Sequence, residues 1–166
     1  MSLMDLTLGA IFWGVLTFGA AWVGTLFMPD TWYSRLTKPS WNPPDAVFGP
    51  VWSVLYLLMA AAAWLVWRET DWGGFAGPLA FYVVQLVFNG AWNWLFFGRH
   101  RPAVALLDIG ALWLAVAATL IAFWKVVPLA GMLLIPYLAW ITFASVLNFK
   151  LWRLNPAPIR SSSRQR

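Results

Sequence analysis

The chain has no cysteine among its 166 residues. Disulfides, thiolate metal sites and cysteine nucleophiles are therefore excluded. It has one histidine, His100, so a His-cluster metal site or a His-pair relay is excluded as well. Charge is scarce too: Asp, Glu, Lys and Arg make up 10% of the residues, against roughly 25% in an average soluble domain. Hydrophobic residues make up 61%, and the aromatics are 14 Trp, 12 Phe and 4 Tyr. The mean hydropathy is +0.69. A soluble domain of this size must cover its exterior with polar groups, and this composition cannot supply them. The expected class is all-α, an integral membrane bundle of five transmembrane helices. Five spans of about 21 residues use about 105 residues, which leaves only short loops and a tail.

The spans read as residues 6–28, 46–67, 78–98, 103–124 and 129–149. Each can cross a hydrocarbon core of about 30 Å as a helix. Helices satisfy their own backbone in lipid, and the alternating ten-residue segments of a β-barrel do not occur. No Lys or Arg precedes the first span, which also exceeds a signal-peptide core, so the mature chain is expected to keep it. One five-helix domain over 1–152 and a basic, disordered tail over 153–166 follow. The Lys and Arg residues divide nine against two between the two sides, which predicts the N-terminus outside and the C-terminus inside. The same topology accounts for the net charge of +5, so nucleic acid is not an expected partner. Small-residue pairs, Ala10/Gly14 and Ala20/Gly24, and the stripe Ala111, Ala115, Thr119 suit packing within the bundle or a dimer contact.

The segment from Pro29 to Asp45 holds four prolines with Trp32, Tyr33 and Trp41. Prolines lower the entropy lost on ordering, and aromatics need surfaces to pack against. It reads as an ordered cap over one end of the bundle; the alternative is an interfacial anchor with a helix stop. Gln85, Asn89 and Asn93 recur at every fourth position beside Phe88, Trp92 and Phe96. Amides are costly in lipid, so this face points inward, to bond neighbouring helices or a ligand. Asp108 is the only charge well inside a span. It is expected to form a structural pair with Arg101 or His100, seven and eight residues back; a proton relay is the alternative.

Alternating span direction brings Trp52, Tyr56, Asn89, Trp92, Asp108, Trp140, Ala144, Leu147 and Asn148 toward one side. That side also holds the Pro/Trp segment and most positive charges. A capped aromatic cavity there suits a large, flat, apolar ligand with anionic edges. Arg35, Lys38, Arg99 or Arg153 could meet its carboxylates. The positive-inside rule alone also explains these cations.

These residues resemble the tryptophan-rich sensory protein/translocator protein (TspO/MBR) family from about Gly24 to Asn155. The resemblance rests on Trp32-Tyr33, the run Lys38-Pro39-Ser40-Trp41-Asn42-Pro43-Pro44, and Val47-Phe48-Gly49-Pro50-Val51-Trp52 with Tyr56. It continues in Phe88-Asn89, Trp92, Phe96-Phe97-Gly98, Pro136-Tyr137-Leu138-Ala139-Trp140 and Leu147-Asn148-Phe149. It implies a five-helix bundle, commonly a homodimer, with no required cofactor and a cavity that binds porphyrins such as protoporphyrin IX or haem-like tetrapyrroles. The family's pocket positions fall on Tyr33, Trp41, Pro43, Phe48, Trp52, Tyr56, Asn89, Trp92, Trp140, Ala144 and Leu147. Gln85, Asp108 and Asn148 take secondary, structural places, and Asp108 resembles an acid of the animal members. The family's cholesterol element needs a Tyr where this chain has Phe149, so high-affinity sterol binding is not expected. The implied function is a membrane receptor or carrier that senses or regulates tetrapyrroles. The alternatives are light- and oxygen-dependent breakdown of bound protoporphyrin IX and a structural membrane partner. No acid/base pair, metal set or nucleophile constellation supports conventional catalysis.

Overall fold

A computed structural model describes residues 2–70, 73 and 77–156, and all regular structure among them is helical. The helices are α1 (Leu3–Thr25), α2 (Thr31–Arg35), α3 (Asp45–Thr70), α4 (Pro78–Asn93), α5 (Pro102–Val126) and α6 (Pro128–Leu154). A π-helical turn, Trp94–Gly98, extends α4. Five of these helices are long and apolar enough to cross a membrane. The third runs continuously from Pro78 to Gly98. The predicted spans match them to within a few residues. The tail begins later than expected, because α6 carries Arg153 and Leu154. Residues 157–166 of that tail lie outside the described residues.

Local chemistry starts each helix. Ser2 and Asp5 form a capping box on α1: the Asp5 N–H donates to Ser2 Oγ, and the Ser2 N–H donates to Asp5 Oδ2. Asp30 caps α2 by accepting from the N–H groups of Trp32 and Tyr33. Pro78, Pro102 and Pro128 open α4, α5 and α6, where a missing N–H costs nothing.

The spans form a closed ring in the order α1, α3, α6, α5, α4, with α3 also touching α4 and α5. Trp13, Met59, Trp67, Tyr82, Leu112 and Tyr137 fill its middle, and Ala62 and Ala63 let backbones approach. Outer faces stay apolar: Leu107, Leu114 and Ile121 line one exposed face of α5. Such a surface suits hydrocarbon and would aggregate in water.

The Pro29–Asp45 segment is an ordered cap. Tyr33 and Leu36 are buried in a second apolar cluster with Phe96, Ala105, Leu147 and Leu151. Asn155 ties the cap to the end of α6: its Oδ1 accepts from the Thr37 N–H, and its Nδ2 donates to the Thr37 carbonyl, both at 3.0 Å. An interfacial anchor would need none of this packing.

Candidate functional site

A cavity of about 280 Å³ lies beside the cap, bounded by α1, α3, α4 with its π turn, and α6. Phe48, Trp52 and Tyr56 project from α3, Trp92 and Asn93 from α4, Phe97 from the π turn, and Trp140 and Ala144 from α6. α1 and the residues after it close the remaining side with Phe18, Ala21, Gly24, Thr25, Phe27, Met28 and Pro29. A smaller void of about 30 Å³ adjoins it and shares Phe48, Trp92, Trp140 and Ala144. Tyr33, Leu147 and Asn148 line that smaller void.

Eight of the eleven residues expected at a pocket therefore line one void or the other, and Trp41, Pro43 and Asn89 line neither. Trp41 instead lies exposed against the edge of Phe143, at a centroid distance of 5.8 Å. Asn89 sits behind the wall, bonded to Tyr56. It is buried, and it holds the wall in place. The Tyr56 hydroxyl donates to Asn89 Oδ1 at 2.6 Å, and Asn89 Nδ2 donates to the Tyr137 hydroxyl at 2.9 Å. The Tyr137 hydroxyl in turn donates to Gln85 Oε1 at 3.0 Å. Likewise Trp92 Nε1 donates to Asn148 Oδ1 at 3.0 Å, and Asn148 Nδ2 donates to the Pro102 carbonyl at 2.8 Å. Buried amides thus fix the orientation of Tyr56 and Trp92, while Asn93 alone of the predicted amide stripe lines the large cavity.

The cavity wall carries no Lys or Arg. Lys38 Nζ lies 4.3 Å above the Tyr33 ring and the Arg99 guanidinium 5.6 Å from the Trp94 ring. These two cations lie at the capped end without entering the cavity. Burial pushes the Tyr33 hydroxyl above its ordinary value, so Tyr33 meets the smaller void as a neutral phenol.

Asp108 departs from expectation. Neither Arg101 nor His100 pairs with it, and its buried Oδ2 has no hydrogen-bond partner among the described residues. The physical reason is that α5 begins at Pro102, so both residues precede the helix and do not share its face. His100 takes a left-handed backbone (φ 52°), stacks on Trp32 at 4.4 Å and reaches Asp30 Oδ2 at 3.0 Å. With no partner cation among the described residues, Asp108→Asn removes a half-buried charge without stranding one of them. The melting temperature in detergent is expected to stay level or rise; a marked fall would reveal a partner.

The Asp30–His100 contact joins the cap to the π-turn end of α4. Partial burial works against the Asp30 carboxylate, but the Tyr33 N–H, His100 and the Trp32 N–H outweigh it and hold its carboxyl below the usual range. A depressed carboxyl contributes stability that is complete above its unfolded value and lost as pH falls through its folded value. The Asp30 contribution to cap anchoring is therefore expected to be lost under acid, below pH about 4. Asp30→Asn keeps an N-cap acceptor but should lose this pH dependence, read as the acid limb of proteolytic cleavage between residues 36 and 44. An identical acid limb in both proteins would contradict it.

Among the described residues no cluster of three His, Asp or Glu side chains could hold a metal ion. The arrangement is a cavity built mainly from aromatic faces.

The chain matches the TspO/MBR family over residues 12–153. It is 43% identical to Protein CrtK of Rhodobacter capsulatus over 92% of this chain and 96% of that protein. It is 47% identical to a tryptophan-rich sensory protein of Cereibacter sphaeroides, over 81% of this chain and 84% of the other. The human translocator protein is also 47% identical, over 75% of each chain. A match along nearly the full length, with a ring of five spanning helices and a capped tryptophan-lined cavity, assigns this chain to the TspO/MBR family.

Proposed function

We propose that the protein is a membrane receptor or carrier that binds porphyrins in the aromatic cavity and senses or regulates tetrapyrrole levels. The observation that carries this reading is the convergence of Trp52, Trp92 and Trp140 on one cavity of about 280 Å³. Trp52 and Trp140 meet nearly at right angles, 6.4 Å apart, so a flat ring can stack on one and meet the edge of the other. The wall has no cation, so the carboxylate edge of a porphyrin would point out of the cavity toward Arg35, Lys38 and Arg99. The names of the relatives, sensory protein and translocator protein, agree with a receptor role. In this reading the capped end faces the cytoplasmic side, where basic residues collect.

The test is titration of the protein in lipid nanodiscs with protoporphyrin IX, in the dark. Saturable quenching of tryptophan fluorescence is expected, and unsaturable quenching would favour a structural partner protein instead. A second reading, light- and oxygen-dependent breakdown of the bound porphyrin, is favoured by the same three indoles, which are oxidisable and adjacent to the ligand. Illuminating the complex distinguishes the two: loss of porphyrin absorbance that requires the protein supports breakdown.

A further inference from the structure

The seam between α1 and α3 is tight at one end and open at the other. At the tight end Trp64 Nε1 donates to the Leu6 carbonyl at 3.1 Å, and Gly9 lies directly against the Trp67 ring. At the other end the cavity separates the same two helices. Its wall there mixes partly buried residues with exposed ones: Phe18 is 47% and Met28 63% exposed, and Thr25, Gly49 and Ser53 are exposed as well. A side chain built on Gly49 would meet nothing within 4 Å. The walls from α4 and α6 differ in that none of their lining residues is exposed: Trp92, Asn93, Trp140 and Ala144 are all partly buried. The water-facing route is filled: Tyr33 packs edge-on to Phe97 at 5.5 Å, and Leu36 is buried beside it.

We propose that the cavity is loaded sideways, from the bilayer, through the α1–α3 seam, and that its occupant is a flat apolar molecule already partitioned into the membrane. Phe18, Thr25 and Ser53 belong to spanning helices, so the opening faces acyl chains and headgroups. Gly49 and Ser53 form the α3 side of the doorway. The cap acts as the fixed roof of the cavity, and its position does not govern entry. This inference rests on the cavity being the binding site, and it adds the route and the solvent from which the ligand comes.

The absence of cysteine makes the route measurable, because one introduced thiol is the only thiol. Ala144→Cys places it on the inner wall, and Ser40→Cys places one on the exposed cap. In nanodiscs each is treated with an apolar maleimide, which the bilayer concentrates, and with a charged one, which it excludes. The ratio of apolar to charged rate is expected to be about tenfold or more higher at Ala144→Cys than at Ser40→Cys. Adding Gly49→Phe, or independently Ser53→Phe, should slow the apolar reagent at Ala144→Cys. Adding Asn155→Ala, which releases the two bonds tying the cap to α6, should leave that rate unchanged. Equal ratios at the two thiols would overturn the proposal. So would acceleration by Asn155→Ala with no effect of either phenylalanine, since entry would then pass the cap. Protoporphyrin IX association is measured in the same nanodiscs on the parent protein, which has no cysteine. Failure of the porphyrin to bind would remove the ligand assignment while the maleimide rates still decide the route.

Discussion

Trp140→Ala and Trp52→Ala are each expected to weaken protoporphyrin IX binding by about 1–3 kcal/mol, or roughly 5- to 150-fold. Trp140 borders both voids and meets the rings of Phe48, Trp52 and Phe143. Trp52 links it to Tyr56 at 5.6 Å and Tyr137 at 6.2 Å. Either truncation removes a stacking face and widens the cavity. Neither should unfold the bundle, because both indoles are only partly buried. Trp13→Ala is the contrasting case, since Trp13 is fully buried and lines neither void. It should lower the melting temperature and leave the affinity of the folded fraction unchanged. Absorbance titration, with circular dichroism on the same samples, reads all three. Native affinity in both cavity variants, with helicity intact, would remove the two indoles from the site.

The spans were legible in the sequence because bilayer thickness and hydropathy fix them with little help from tertiary contacts. Depth along alternating helices was legible for the same reason, and it brought Trp52, Tyr56, Trp92, Trp140 and Ala144 to one level. The contribution of α1 was hidden. Phe18, Ala21, Thr25 and Met28 look like any lipid-facing apolar residues, and nothing in their spacing marks which side meets a cavity. The one available signal was the Ala20/Gly24 pair, read as a packing contact. A Cβ on Gly24 would come within 3.4 Å of Asn93 Nδ2, so Gly24 does mark a close approach, to the cavity side of α4.

The amide stripe shows how far periodicity reaches. Steps of four residues advance about 40° past a full turn at 3.6 residues per turn. Over eight residues the stripe fans out by about 80°, so Gln85 and Asn89 enter the core while Asn93 reaches the cavity. The misassigned partner of Asp108 has a related cause. Counting seven or eight residues back assumed a continuous helix, but α5 begins only at Pro102, so His100 and Arg101 lie in the break before it. The true partner of His100 is Asp30, on a distant part of the chain, and no local pattern announces it.

Gly9→Ala is expected to destabilise the protein by about 1–3 kcal/mol or more, an unusual cost for one methyl group. Glycine in a helix normally loses to alanine on propensity, so the same change at Gly19, where a Cβ meets nothing within 4 Å, should be neutral or stabilising. At Gly9 a Cβ would overlap the Trp67 ring. Trp67 is only 2% exposed, and a ring held on all sides cannot swing away. α1 would have to retreat from α3, lengthening the Trp64–Leu6 hydrogen bond at the closed end of the seam. The far half of α1, from Phe18 to Thr25, is a wall of the cavity, about 14–24 Å along the helix from Gly9. Displacing it should therefore also speed porphyrin release, although Gly9 touches no ligand. Thermal melting in detergent and stopped-flow release from nanodiscs are measured on Gly9→Ala and Gly19→Ala together. Equal melting temperatures would mean that the seam is not clamped at Gly9. A lower melting temperature with unchanged release would mean that the cavity wall does not depend on that clamp.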